Sequence, residues 1–294
     1  MSKFRLKMAR QLGEKTAQDH GFDKFPIDPF KIARDEEIVV EAKRPENEGM
    51  SGCIVFNDDG VGIIYSTSIQ NEGFQNFTVA HELGHYFIDG HPDEILKSGP
   101  MHVSRAGFSQ GDSSIEIEAD HFASGLLMPT HFVKKELQGS PIGLAAIKSL
   151  ATISKSSVTA AAIRTSECAP YPMAIVVSAG QEVRYAFMSD AFKNFGRLQF
   201  LRKGDALPAS GTFDFNRDPD RVLAGDSMCT ESRLATWFEG PSHITLDEEI
   251  IGLGRYGLTL TVLSSEEITE DPYEDEDEEE KLEASWTAKF AYGR

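Results

Sequence analysis

The chain has 294 residues, enough for one large core or two smaller ones, and sets 47 acidic against 29 basic side chains for a formal charge of −18. No run of about 18 apolar residues is present, so no membrane-spanning helix is expected. The basic start, Met1 to Lys7, lacks the apolar segment of a secretory leader. The three cysteines, Cys53, Cys168 and Cys229, are far apart and have no C-x-x-C partner, which argues against a disulfide framework and for reduced thiols in a cytoplasmic protein.

From the N-terminus, Phe4 to His20 has helical periodicity and stops at Gly21, and Pro26 to Ala33 reads as a short second helix entered through Ile27-Asp28-Pro29. Ile38 to Glu41 and Gly52 to Phe56 read as strands. Asn57-Asp58-Asp59-Gly60 signals a turn, with a return strand from Val61 to Ser66. The hairpin Gly52 to Ser66 is the expected place for an extended peptide to add as a strand.

The next segment is helical and carries His81-Glu82-Leu83-Gly84-His85, an H-E-x-x-H motif. The two His are one turn apart on one face, so both imidazoles can grip one metal ion. Glu82 stands next to the first of them and can act as general base on a water. Phe77, Ala80, Gly84, Phe87 and Ile88 form an apolar stripe at helical spacing. Gly84 costs about 1 kcal/mol of helix propensity relative to Ala, and with Ala80 is expected to let the helix approach a sheet closely.

A catalytic site of this kind needs a third protein ligand and an open position. Two candidates present themselves. His91 has the His spacing of the metzincin pattern, but Ile88 stands where that pattern needs a turning glycine. His91-Pro92 therefore reads as loop beyond a helix stop. The other candidate lies on a second helix, capped by Ser113-Ser114 and closed by Pro129. There Glu116 and Asp120 share a face, so Glu116 can be the ligand while Asp120 accepts a hydrogen bond from a ligand His. Glu118 points about 160° away on the helical wheel and is the weaker choice. Ala119, Phe122, Ala123, Leu126 and Leu127 make this helix a packing element, able to lie against the first.

Phe77 to Tyr86 (F-T-V-A-H-E-L-G-H-Y) and Glu116 to Pro129 (E-I-E-A-D-H-F-A-S-G-L-L-M-P) together resemble the ImmA/IrrE metallo-endopeptidases. The resemblance extends loosely to about residue 167. It departs at Asp120, where the family commonly has Asn; Asp accepts the same hydrogen bond. The resemblance implies a zincin-like core, Glu116 as third ligand and cleavage of Xre-type helix-turn-helix repressors, which relieves repression after DNA damage or in mobile elements.

Ile142 to Ile153, a short turn, and Val158 to Thr165 resemble the helix-turn-helix segment of the same family. Lys155 and Arg164 are thin support for nucleic-acid contact, so packing is the expected role. From about Ala169 the chain turns to strand-type residues: Met173 to Ser178, Glu182 to Met188, Arg197 to Leu201, His243 to Leu246 and Leu258 to Leu263. The aromatics here, Phe192 and Trp237 among them, read as core, and His243 as structural. The acidic run Glu270 to Glu280 is expected to be a disordered, solvating tail. The sharper reading is a lure for a basic partner, with Trp286, Phe290 and Tyr292 as a docking segment behind it.

The expected fold class is α+β: a zincin-like metallopeptidase core over 1–167, with a helix-turn-helix segment at about 140–167, a β-rich sensor or partner-binding domain over 168–265, and a tail over 266–294. The expected activity is metal-dependent endopeptidase cleavage of a helix-turn-helix repressor in a stress response or mobile element. His81, His85 and Glu116 hold Zn2+, with Mn2+ a competitor, Glu82 is the base and Asp120 supports a ligand; Tyr86, His102 and Arg105 are candidate oxyanion donors. Neither a membrane nor direct nucleic-acid binding is expected. Two other classes stay open: a regulator that uses the zincin core as a binding module, and a metal-stabilised sensor without protease activity.

Overall fold

The computed structural model describes residues 3–44, 50–105, 114–196, 198–241 and 243–265. The acidic tail expected at 266–294, Ser113 of the expected cap and Arg197 lie outside the described residues. The chain divides into two compact units, Met1–Glu136 with Ser149–Ala160, and Leu137–Lys148 with Ala161–Arg294. Among the described residues no helix is long and apolar enough to cross a membrane.

The first unit opens with α1 (Lys3–Asp19) and α2 (Pro29–Asp35). The Asp28 side chain caps α2 by accepting from the backbone N–H of Phe30 and Lys31, and Pro29 occupies the first turn, where a missing N–H costs nothing. A mixed four-stranded sheet follows, built from β1 (Val39–Lys43), β2 (Met50–Asn57), β3 (Gly60–Ser66) and a later strand. The metal-motif helix α3 (Glu72–Phe87) has Asn71 as its cap, accepting from the N–H of Phe74.

After α3 the structure departs from expectation. His91-Pro92 is not loop: Gly90, in the left-handed conformation at φ 86°, turns the chain, and Pro92 opens a new helix, α4 (His91–Ser98). Next comes β4 (Met101–Arg105), then the packing helix α5 (Ser114–Leu127) and α6 (Thr130–Leu137). The sheet order is β1-β3-β2-β4, with β1 parallel to β3 and the other pairs antiparallel. Both strands of the hairpin are thus paired on both sides. Among the described residues the free edges belong to β1 and β4, which moves the expected peptide-binding edge off the hairpin.

Helix α5 is the hub of this unit. Against α1 the backbones nearly touch: a Cβ on Gly13 would stand 2.2 Å from the Phe122 carbonyl oxygen, and one on Gly125 2.2 Å from that of Arg10. Against α3, a Cβ on Gly84 would stand 3.0 Å from Ala119 Cα. Gly84 therefore serves a helix–helix approach, not the expected helix–sheet one. Phe87 stacks on Phe122 beside it, ring centroids 5.8 Å apart.

Two helices follow, α7 (Leu144–Ser154) and α8 (Val158–Cys168), and the division between units falls within each. Lys155 turns the chain at φ 52°, and its carbonyl accepts from Asn76 Nδ2 of α3 at 3.4 Å. Two of the three basic side chains of this segment, Lys155 and Arg164, are engaged by carboxylates. Lys155 Nζ bonds Glu72 at 2.8 Å, and Arg164, 1% exposed, bonds Glu167 at 2.6 Å.

The second unit is mostly β. Its antiparallel sheet runs β6-β5-β9-β8-β7, from β5 (Met173–Ala179), β6 (Glu182–Met188), β7 (Ser227–Arg233), β8 (Thr245–Gly252) and β9 (Thr259–Ser264). Short helices α9 (Asp190–Lys193), α10 (Gly211–Phe215), α11 (Pro219–Ala224) and α12 (Leu234–Phe238) pack around it. Phe192, Phe195, Trp237 and Phe238 join Val176, Leu246 and Leu263 in its core. The strand expected at Arg197 to Leu201 is absent over 198–201. Gln199 instead donates its N–H to the Phe238 carbonyl in a loop. The strand expected at His243 begins at Thr245 and continues to Gly252.

Candidate metal centre

Helical spacing puts His81 and His85 of α3 on one face, and α5 brings Glu116 to them. Their ligand-type atoms lie within 4.8 Å of one another. His81 Nε2 and His85 Nε2 face each other at 3.2 Å, and the Glu116 oxygens stand 3.4 and 3.3 Å from them. Asp120, one turn after Glu116, meets His81 Nδ1 at 2.8 Å. A carboxylate only accepts, so His81 Nδ1 carries a proton, which leaves Nε2 as the nitrogen that could coordinate an ion. Two imidazole nitrogens and a carboxylate converging in this way fit a borderline divalent ion such as zinc.

Glu82 is fully buried on the neighbouring face of α3, and neither carboxylate oxygen has a hydrogen-bond partner among the described residues. Burial pushes its carboxyl up to about 7, against the opposing charge of His81. Room for this side chain comes from β2: a Cβ on Gly52 would stand 2.6 Å from Glu82 Oε1 and 2.5 Å from Thr78 Cγ2. Gly52 opposes Ser104 and Ile54 opposes His102 across β2 and β4. Alternation along the strands therefore puts these four residues on the face toward α3.

His102 Nε2 is 2.5 Å from Glu116 Oε1. Of the three candidate oxyanion donors, it is the one brought to the cluster with a described side chain. Tyr86 points elsewhere and donates to Glu36 at 3.3 Å. The Arg105 side chain is outside the described residues. Charges in the cluster are strongly coupled. Burial works against ionised Glu116, yet His102, His81 and His85 hold it well below the ordinary carboxylate range. Burial keeps His85 neutral, with a pKa lowered to about 3.

Two residues that the wheel and the loop reading turned away from the metal have defined places. Glu118 is indeed off the Glu116 face, but it is not solvated: it is 1% exposed and bonded to Arg5 and His91. His91, also 1% exposed, faces His85 Nδ1 at 3.2 Å. No periodicity or spacing signals these contacts.

The profile of Peptidase_M78, the IrrE N-terminal-like domain, matches residues 39–166. Residues 39–166 are similar to an IrrE N-terminal-like domain. This IrrE-like domain contains α3, α5 and the whole His81, His85 and Glu116 cluster. Domain and cluster together support metal-dependent endopeptidase activity of the H-E-x-x-H type. A solved Mycobacterium tuberculosis transcriptional regulator is similar in fold, with a TM-score of 0.55 and 15% identity over 87% of this chain and 76% of that one. No curated protein matches the chain.

Proposed function

We propose that this protein is a zinc-dependent endopeptidase whose substrate is a helix-turn-helix transcriptional repressor, acting in the cytoplasm. The observation that carries the catalytic part is the convergence of His81, His85 and Glu116 beside a buried carboxylate, Glu82, with no other partner among the described residues. The substrate part rests on the resemblance to the ImmA/IrrE endopeptidases and is supported by the IrrE-like domain.

In this reading His81, His85 and Glu116 hold the ion, and Asp120 orients His81. The nitrogen and oxygen ligand set favours zinc, with Mn2+ its competitor. A bound ion supplies Lewis-acid activation of water and of the scissile carbonyl. Glu82 takes the proton of the attacking water and delivers it to the leaving amine. His102 donates to the carbonyl oxygen as charge develops there. The peptide adds along β4, whose inward residues His102 and Ser104 flank the site and whose Met101 and Val103 are 57% and 42% exposed. The α7–α8 pair serves as a helix-turn-helix-like packing segment, with Lys155 and Arg164 already committed to carboxylates.

The test pairs metal content with cleavage. Wild type, Glu82→Gln and Glu116→Ala are purified side by side, analysed by elemental mass spectrometry, and incubated with helix-turn-helix repressors encoded beside the gene. Wild type should hold about one equivalent of metal and cut. Glu82→Gln should keep the metal and lose about 100-fold or more of the rate, and Glu116→Ala should lose the metal. Metal absent from wild type after zinc and manganese are supplied would sink the peptidase reading. Full cleavage by Glu82→Gln would sink the assignment of Glu82 as the base.

A further inference from the structure

The two metal-motif imidazoles are supported unequally. His81 Nδ1 meets a carboxylate directly, Asp120 at 2.8 Å. His85 Nδ1 meets another imidazole, His91 Nδ1 at 3.2 Å. His91 Nε2 in turn lies 3.3 Å from Glu118 Oε2, and the same oxygen accepts from Arg5 at 2.8 Å. His85, His91 and Glu118 are all within 1% of complete burial, so water does not stand in for any of these partners.

The chain has one polarity compatible with a metal on His85. For Nε2 to offer its lone pair, the proton of His85 must sit on Nδ1. His91 Nδ1 must then accept, which leaves the His91 proton on Nε2. That proton points at Glu118, which only accepts, and Arg5 only donates. Each link thus fixes the next. Reversing any one link would put a proton on His85 Nε2, the nitrogen that faces the His81 and Glu116 ligand atoms, and so bar it from coordinating an ion.

We propose that His91, held by Glu118 and Arg5, is a positioning residue that fixes the tautomer and ring orientation of His85. This rests on the metal reading of the cluster. It also reaches outside the matched domain, because Arg5 lies on α1, ahead of residue 39 where that match begins. The relay does for His85 what Asp120 does for His81, at a distance one imidazole longer.

The test uses the full chain and zinc alone. Zinc affinity is measured by competition with a chromophoric chelator for wild type, His91→Phe and His91→Gln, with circular dichroism as a check on folding. Phe fills the space but cannot accept; the Gln carbonyl can. Loss of the acceptor should weaken zinc binding about 10- to 100-fold in His91→Phe, with His91→Gln closer to wild type. Affinity of folded His91→Phe equal to that of wild type would overturn the relay while leaving the peptidase reading intact. A long-range nitrogen–proton correlation spectrum of zinc-loaded wild type needs no variant. It should show His85 protonated at Nδ1 and His91 at Nε2, and a His91 protonated at Nδ1 would overturn the assignment. Wild type that takes up no zinc would fail the metal reading itself, and the relay with it.

Discussion

In the proposed mechanism Glu82 is the base, and Gly52 makes the room in which it sits. A buried carboxyl without a partner is costly, and this one is accommodated because β2 offers no Cβ at Gly52. The Cβ of an alanine there would stand 2.6 Å from Glu82 Oε1 and 2.5 Å from Thr78 Cγ2. One of the two side chains would have to shift. Displacement of a catalytic group by about 1 Å costs about 100-fold in rate. Gly52→Ala should therefore keep its metal, measured by elemental analysis, and lose about that much peptidase activity. Unchanged turnover would show that Glu82 has freedom not seen here. The pair is invisible along the chain, because Gly52 has the flanks of an ordinary strand residue.

At the scale of elements, tight helix packing around α5 shapes the first unit. The Gly13 and Gly125 approaches are to backbone atoms, at 2.2 Å from a would-be Cβ, and backbone cannot rotate away. Gly125→Ala should raise helix propensity yet destabilise the fold by about 1–3 kcal/mol. A lowered urea midpoint would register this, and a raised one would mean that α1 can slide along α5. The helical spacing of α3 and α5 and the runs of strand formers at β5 and β9 were legible in the sequence. Others were not. β7 (Ser-Met-Cys-Thr-Glu-Ser-Arg) has few strand formers, and β4 is short and follows Gly-Pro, so neither carries a local signal. Both exist through ladder bonds to strands that do carry one, β8 and β2. The same lack of local signal hid α4, where Gly90 supplies the turn and Pro92 a restart in place of the stop that the dipeptide suggests.

Across the whole molecule the three cysteines are free, and their environments separate them. Cys53 and Cys168 are buried and Cys229 is exposed on β7, an edge strand. Burial pushes the Cys53 thiol up to about 11. Slight burial, then Glu249, Asp247 and Glu231, raise Cys229 above its ordinary 9.0. Only the thiolate reacts, and the raised pKa keeps Cys229 mostly protonated at neutral pH. Titration of native protein with a thiol reagent should give one accessible group, slow at pH 7 and faster as pH rises through 9.0 and above. Three groups should appear on denaturation. Two fast thiols in the native state would contradict the burial of β2 or α8.

Short-range periodicity was enough to fix several relations along the chain. It placed His81 and His85 on one face of a helix, Glu116 and Asp120 on one face of another, a hairpin ahead of them and a β-rich part behind. These are relations between residues within a turn or two, set by backbone geometry. What stands opposite each face is a matter of packing between distant segments. Arg5 reaches Glu118 across 113 positions, Ile54 pairs with His102, and β4 rather than the hairpin takes a free edge. Such contacts depend on how separate elements pack and pair, and a periodicity names a buried face without naming its neighbour.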